Sequence, residues 1–73
     1  MIIVSTPEKS PDEFRRNARY TNDLVKCDTP GLLRPIPGSR VGFRSPQNTI
    51  LAEGRVTDVR PGAFMVKVTE YYV

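Results

Sequence analysis

The chain has 73 residues and a formal net charge of +3, from eleven Lys and Arg against eight Asp and Glu. This length has room for one domain, and we expect residues 1–73 to form a single one. One cysteine, Cys27, and no histidine exclude an internal disulfide and leave too few ligands for a zinc site. No apolar run approaches the roughly 20 residues that cross a bilayer. The free thiol and a start unlike a signal peptide predict a protein of the reducing cytoplasm.

The first twenty residues predict an apolar start followed by one short helix. Residues 1–9 open with Met1–Val4, an apolar run with β-branched residues, which is either a strand or a free arm. Ser10 is followed by proline and then by Glu13 three positions on, which is the pattern of a capping box. We therefore predict a helix from Pro11 to about Tyr20.

The spacing of apolar residues indicates which face of this helix is buried. Phe14, Ala18 and Thr21 recur at helical spacing and are expected to face the core. Asn22-Asp23 is the expected stop. A helix this short needs tertiary packing to persist.

From Leu24 onward the pattern indicates strands and tight turns. The predicted segments are, in chain order, a strand over Leu24–Cys27, a type II turn at Pro30-Gly31, an extended connector through Pro35, Pro37 and Gly38, and a strand over Arg40–Arg44 with Val41 and Phe43 on one face.

The last third of the chain predicts a long β-hairpin. Its expected features are alternation along Ile50, Ala52, Gly54 and Val56, a bulge around Thr57-Asp58, a turn at Arg60-Pro61-Gly62, and a second strand with Phe64, Val66 and Val68 facing inward. The predicted class is β-rich α+β, with one helix followed by a small bent antiparallel sheet or a partly closed barrel.

Residues for catalysis are scarce. No histidine is present to act as a proton shuttle, and Cys27 has no imidazole partner. Asp12 and Glu13 are explained by the helix start, where they offset unpaired N–H groups. No phosphate-binding glycine loop occurs. We expect a binding protein without cofactor or metal, and not an enzyme.

Two groups of arginines are candidates for partner binding. Arg15, Arg16 and Arg19 lie beside Tyr20 on the predicted helix, a combination that suits an acidic protein surface or the phosphates and bases of a nucleic acid. Arg34, Arg40 and Arg44 lie in a stretch without acids. A solvated surface is the alternative explanation for both groups.

The two ends of the chain are a third candidate. Met1–Val4 and Tyr71–Val73 are both apolar. Either both ends pair with the sheet and complete its core, or one of them is an exposed edge offered to another chain by strand addition.

Part of the chain resembles small SH3-like barrels. The resemblance lies in Pro37–Val68, under half of the chain, with its segments Gly38–Phe43 and Gly54–Val59. It implies a strand that enters after a Pro-Gly turn, a bent central hairpin, and a fold that commonly binds proteins or nucleic acids.

The whole chain resembles the small RNA-polymerase-binding transcription regulators of lytic Xanthomonas bacteriophages. The resemblance lies in the length, the MIIVST start and the basic helix. It implies a protein that contacts the β′ amino-terminal region and the β flap of host polymerase, blocks initiation and promotes antitermination. We expect a monomer in the host cytoplasm, with RNA as a second candidate partner. The resemblance assigns no individual residue a role. A direct nucleic-acid-binding barrel and a structural or assembly subunit are the alternatives.

Overall fold

The computed structural model describes residues 1–29 and 34–72. Its elements, in chain order, are β1 (Ile2–Ser5), α1 (Pro11–Arg19), β2 (Leu24–Asp28), β3 (Arg40–Arg44), β4 (Ile50–Arg60) and β5 (Ala63–Tyr71). The turn predicted at Pro30-Gly31 and the terminal Val73 lie outside these residues. In the described part of the chain, no helix is long and apolar enough to cross a membrane.

Helix α1 begins where the capping box predicts. The Glu13 backbone N–H donates to Ser10 Oγ at 3.2 Å, and proline occupies the first turn. The helix ends at Arg19, one residue earlier than predicted, and the chain then turns through Asn22 and Asp23 at φ 56° and 64°. The inward position predicted for Thr21 is wrong, because this residue follows the helix end and is exposed.

Replacing Ser10 with alanine removes the side-chain acceptor of the Glu13 N–H group. We expect Ser10→Ala to lower the free energy of unfolding by about 1 kcal/mol. Urea denaturation of both proteins measures the difference. An unchanged midpoint would show that the cap contributes nothing to this helix.

The sheet has five strands in the order β1-β3-β4-β5-β2. Strands β3, β4, β5 and β2 pair antiparallel, whereas β1 pairs parallel with β3. The predicted β-rich α+β class is confirmed, but the purely antiparallel sheet is wrong. The reason is the connection between the two strands. The chain passes through α1 and β2 after β1 and returns to the end of the sheet where β1 began, so β3 runs in the same direction as β1. The sheet curls into a half-barrel.

Three register shifts accompany this curl. The shift between Val56 and Asp58 is the predicted bulge, and two more lie between Phe43 and Arg44 and between Glu53 and Gly54. At Gly54 the strands approach closely, since a Cβ there would lie 2.4 Å from the Lys67 carbonyl oxygen. Bulges and glycine at close contacts are how a small sheet bends.

The core lies inside the curled sheet and is closed by α1. Its largest fully buried side chains are Phe43, Phe64, Leu51, Val41 and Val66. The inward predictions for Val41 and Phe43 and for the β5 residues Phe64, Val66 and Val68 are confirmed.

Leu51 is fully buried, at 0% exposure, although the alternation along β4 places it on the outer face. Ile50 pairs with Arg44 and Ala52 with Phe43, so Leu51 between them has no partner residue on β3. This register shift interrupts the alternation of inward and outward side chains along β4.

Alternation along β5 predicts unequal costs for neighbouring substitutions. Phe64→Ala leaves a cavity beneath the sheet and is expected to cost about 3–5 kcal/mol, enough to unfold much of so small a domain. Met65→Ala, at a half-buried position on the other face, should be mild. Denaturant midpoints compare the two, and a costlier Met65→Ala would contradict the register.

Candidate partner-binding surface

Two aromatic contacts fix the orientation of α1 on the sheet. The Phe14 ring lies 4.8 Å from that of Phe43 and 6.2 Å from that of Tyr71, measured between ring centroids. Ala18, one turn later, is also buried. The residues on the opposite side of the helix therefore face outward.

Two of the three helix arginines take part in contacts within the domain. The Arg15 guanidinium carbon lies 5.5 Å from the centre of the Tyr71 ring, and Arg15 is half-buried. Arg19 Nε lies 3.8 Å from Asp23 Oδ1, the same oxygen that accepts a hydrogen bond from the Tyr71 hydroxyl. These contacts join the helix, the turn after it and the end of β5.

The Tyr71 hydroxyl keeps its proton at neutral pH. Burial, reinforced by the hydrogen bond to Asp23 and the charge of that carboxylate, raises the pKa of Tyr71 to about 12, although Arg19 and Arg15 oppose the shift. Tyr71 therefore remains a donor to Asp23.

Arg16 and Tyr20 are two exposed residues of this face. Arg16 is exposed and, within residues 1–29 and 34–72, makes no hydrogen bond or ion pair. Tyr20 is 83% exposed. A shallow hollow of about 710 Å³ is lined by Asp12, Arg15, Arg16, Arg19 and Tyr20. An exposed ring beside a free guanidinium suits an interface, because Tyr and Arg are enriched among the residues that dominate binding energy.

The second arginine group does not form one cluster. Arg40 and Arg44 begin and end β3, and Arg34 lies elsewhere, lining a hollow with Arg60. Arg40 pairs with Glu53 at 2.9 Å, and Arg44 Nη2 donates to Ser5 Oγ at 3.2 Å.

Pairing of the strands creates a row of cations that the sequence does not reveal. Arg40 lies opposite Arg55, and Arg55 lies opposite Lys67. Arg55 Nη1 donates to the Gly38 carbonyl at 2.9 Å and Lys67 Nζ to the Asn22 carbonyl at 2.7 Å, so neutral acceptors leave both charges uncompensated. Like charges on facing strands oppose folding. Only the strand register could have identified this row.

The chemistry available to Cys27 is limited. Burial, with a smaller effect of Asp28, raises the pKa of the Cys27 thiol to about 11, so the thiolate is scarce at neutral pH. Among the described residues, no group of three or more His, Cys, Asp or Glu side chains could hold a metal ion.

No protein-family model matches this chain, and no curated protein or solved structure was found to be similar to it.

The geometry predicts different roles for two neighbouring arginines. Arg15→Ala removes the cation from the Tyr71 ring and should cost about 0.5–1 kcal/mol of stability. Arg16→Ala should change stability by less than about 0.5 kcal/mol, since its side chain is free. Thermal unfolding followed by circular dichroism compares them. Equal effects would contradict a structural role for Arg15.

Proposed function

We propose that this protein is a phage-type transcription regulator that binds host RNA polymerase, blocks initiation and promotes antitermination. It acts as a monomer in the bacterial cytoplasm and contacts the β′ and β subunits. We further propose that its half-barrel is a variant of the SH3-like barrel. The long bent hairpin β4–β5 supports this, while the parallel β1–β3 pair departs from an antiparallel barrel.

The observation that carries the proposal is the exposed side of α1. Arg16 is free on a helix whose other side packs through Phe14 against the sheet, and Tyr20, directly after the helix end, is 83% exposed. A rigid element that presents an aromatic ring and a cation is suited to an acidic protein surface with an apolar centre.

Contacts within the domain favour a protein partner over a nucleic acid for this face. Arg15 lies against Tyr71 and Arg19 against Asp23, so Arg16 remains the one helix arginine without such a contact in the described chain. Binding to a phosphate backbone grows with the number of phosphates that cations neutralise. One free cation contributes little of that energy, whereas one arginine and one tyrosine can dominate a protein interface.

A second function, direct binding of nucleic acid, is favoured by the cation row Arg40, Arg55 and Lys67. Arg55 and Lys67 bond to neutral carbonyl groups and could each neutralise a phosphate. The charge of Arg40 is offset by Glu53, which weakens this alternative.

The test compares the variant Arg16→Glu with a control, Arg60→Glu. The control changes the net charge by the same amount, but at the β4–β5 turn. Each protein is titrated against host core polymerase and assayed for inhibition of promoter-dependent transcription. Arg16→Glu should weaken polymerase binding by about tenfold or more and relieve inhibition, because the reversed charge meets an acidic surface. Arg60→Glu should bind like the unmodified protein.

Unchanged binding by Arg16→Glu would contradict the proposed contact. Equal weakening by both variants would show that net charge, and not this face, governs association. A parallel titration against short RNA examines the second function. If it holds, affinity for RNA falls by orders of magnitude between about 50 and 200 mM salt.

A further inference from the structure

The two edges of the curled sheet share one groove. β1 and β2 are the end strands of the sheet order, and neither pairs with a further strand within the described residues. The groove has a volume of about 480 Å³ and is lined by β1, by Lys26, Cys27 and Asp28 of β2, and by Phe64. Within residues 1–29 and 34–72 the half-barrel is therefore open along one seam, between its edge strands β1 and β2.

The free backbone groups of β2 can be located from its pairing with β5. The Val68 N–H donates to the Asp23 carbonyl and the Thr29 N–H to the Gly62 carbonyl. In an antiparallel ladder every second residue bonds to the same neighbour. The N–H and C=O groups of Lys26 and Asp28 therefore point away from β5, toward the open side.

The same reasoning applies to β1. The Thr6 N–H donates to the Arg44 carbonyl, which continues the parallel ladder between β1 and β3. Alternate residues of β1 face away from β3, so the backbone groups of Ile3 and Ser5 point toward the open side. Both walls of the seam thus carry backbone donors and acceptors.

We propose that this seam binds an extended peptide segment of a partner protein, which becomes a sixth strand and closes the barrel. β1 and β2 run in opposite directions, so the inserted strand pairs parallel with one and antiparallel with the other. Main-chain hydrogen bonds on both sides supply affinity, as in other strand additions.

The side chains along the seam specify the partner's chemistry. Ile2 and Val4 line the groove and pack against the core but remain partly exposed. An inserted strand with apolar residues at alternate positions would cover them, since successive side chains of a strand point to opposite faces. The expected ligand is therefore an extended segment with apolar residues at every second position.

A second folded copy of the chain does not fit the seam. Its edge strand already has a sheet neighbour on one side, so it cannot lie between two others. Edge-to-edge pairing of strands of 4 and 5 residues also forms a strip only about 13–17 Å long. Such a strip buries far less than the roughly 1,200 Å² or more of a stable interface.

The proposed binding of a peptide in the seam is independent of the proposed contact of α1 with polymerase.

The experiment uses synthetic twelve-residue peptides, selected for binding the whole protein from a random displayed library. Lys26→Pro and Ser5→Pro each remove one N–H from the seam and no ladder bond to β5 or β3, as proline tolerates an edge. Each should weaken peptide binding about tenfold. Lys26→Ala and Ser5→Ala, which keep the N–H, are the matched controls and should bind within about threefold of the unmodified protein.

A second measurement needs no variant, in case the proline substitutions disturb folding. Bound peptide should slow amide hydrogen exchange at Ile3, Ser5, Lys26 and Asp28 of the unmodified protein. Selection of no binding peptide, binding unaffected by both proline variants, or protection confined to other residues would overturn the proposal. A dimer at high concentration that the proline variants abolish would overturn it too, because the occupant would then be a second copy.

Discussion

Packing of Phe14 against Phe43 and Tyr71 is the contact on which the arrangement of this protein depends. A helix of nine residues does not persist alone in water, so α1 exists because its apolar side closes the core of the sheet. The same contact fixes which side chains face outward. It also brings Arg15 onto the Tyr71 ring. One aromatic cluster thus stabilises the domain and determines which helix arginine lies against the Tyr71 ring.

Curvature of the sheet links the core to the open seam. A small sheet can enclose Phe43 and Phe64 only if it bends, and the register shifts and the close approach at Gly54 accommodate that bend. Bending brings the two edge strands, β1 and β2, to the same groove, although they do not pair with each other. The two proposed binding surfaces are therefore distinct: one consists of side chains of α1, the other of backbone groups of β1 and β2.

Local patterns predicted much of the fold and little of the candidate surface. The cap at Ser10 and the alternation along β5 depend on residues close in sequence, and both are confirmed. The parallel pairing of β1, the burial of Leu51 and the cation row through Arg55 depend on register between distant segments, which no local pattern contains. Sequence spacing grouped Arg15 with Arg16, but the contact with Tyr71, 56 positions away, separates their roles.

The central claim is that α1, held from behind by Phe14, presents Arg16 and Tyr20 to the polymerase. Cross-saturation from unlabelled core polymerase to the deuterated, ¹⁵N-labelled protein measures this directly, because only amides at the interface lose intensity. The account predicts losses at Arg16, Tyr20 and their neighbours on the outer side of α1, with the β4–β5 turn around Pro61 and Gly62 unaffected. Losses confined to that turn or to the outer face of the sheet, with α1 unchanged, would contradict it.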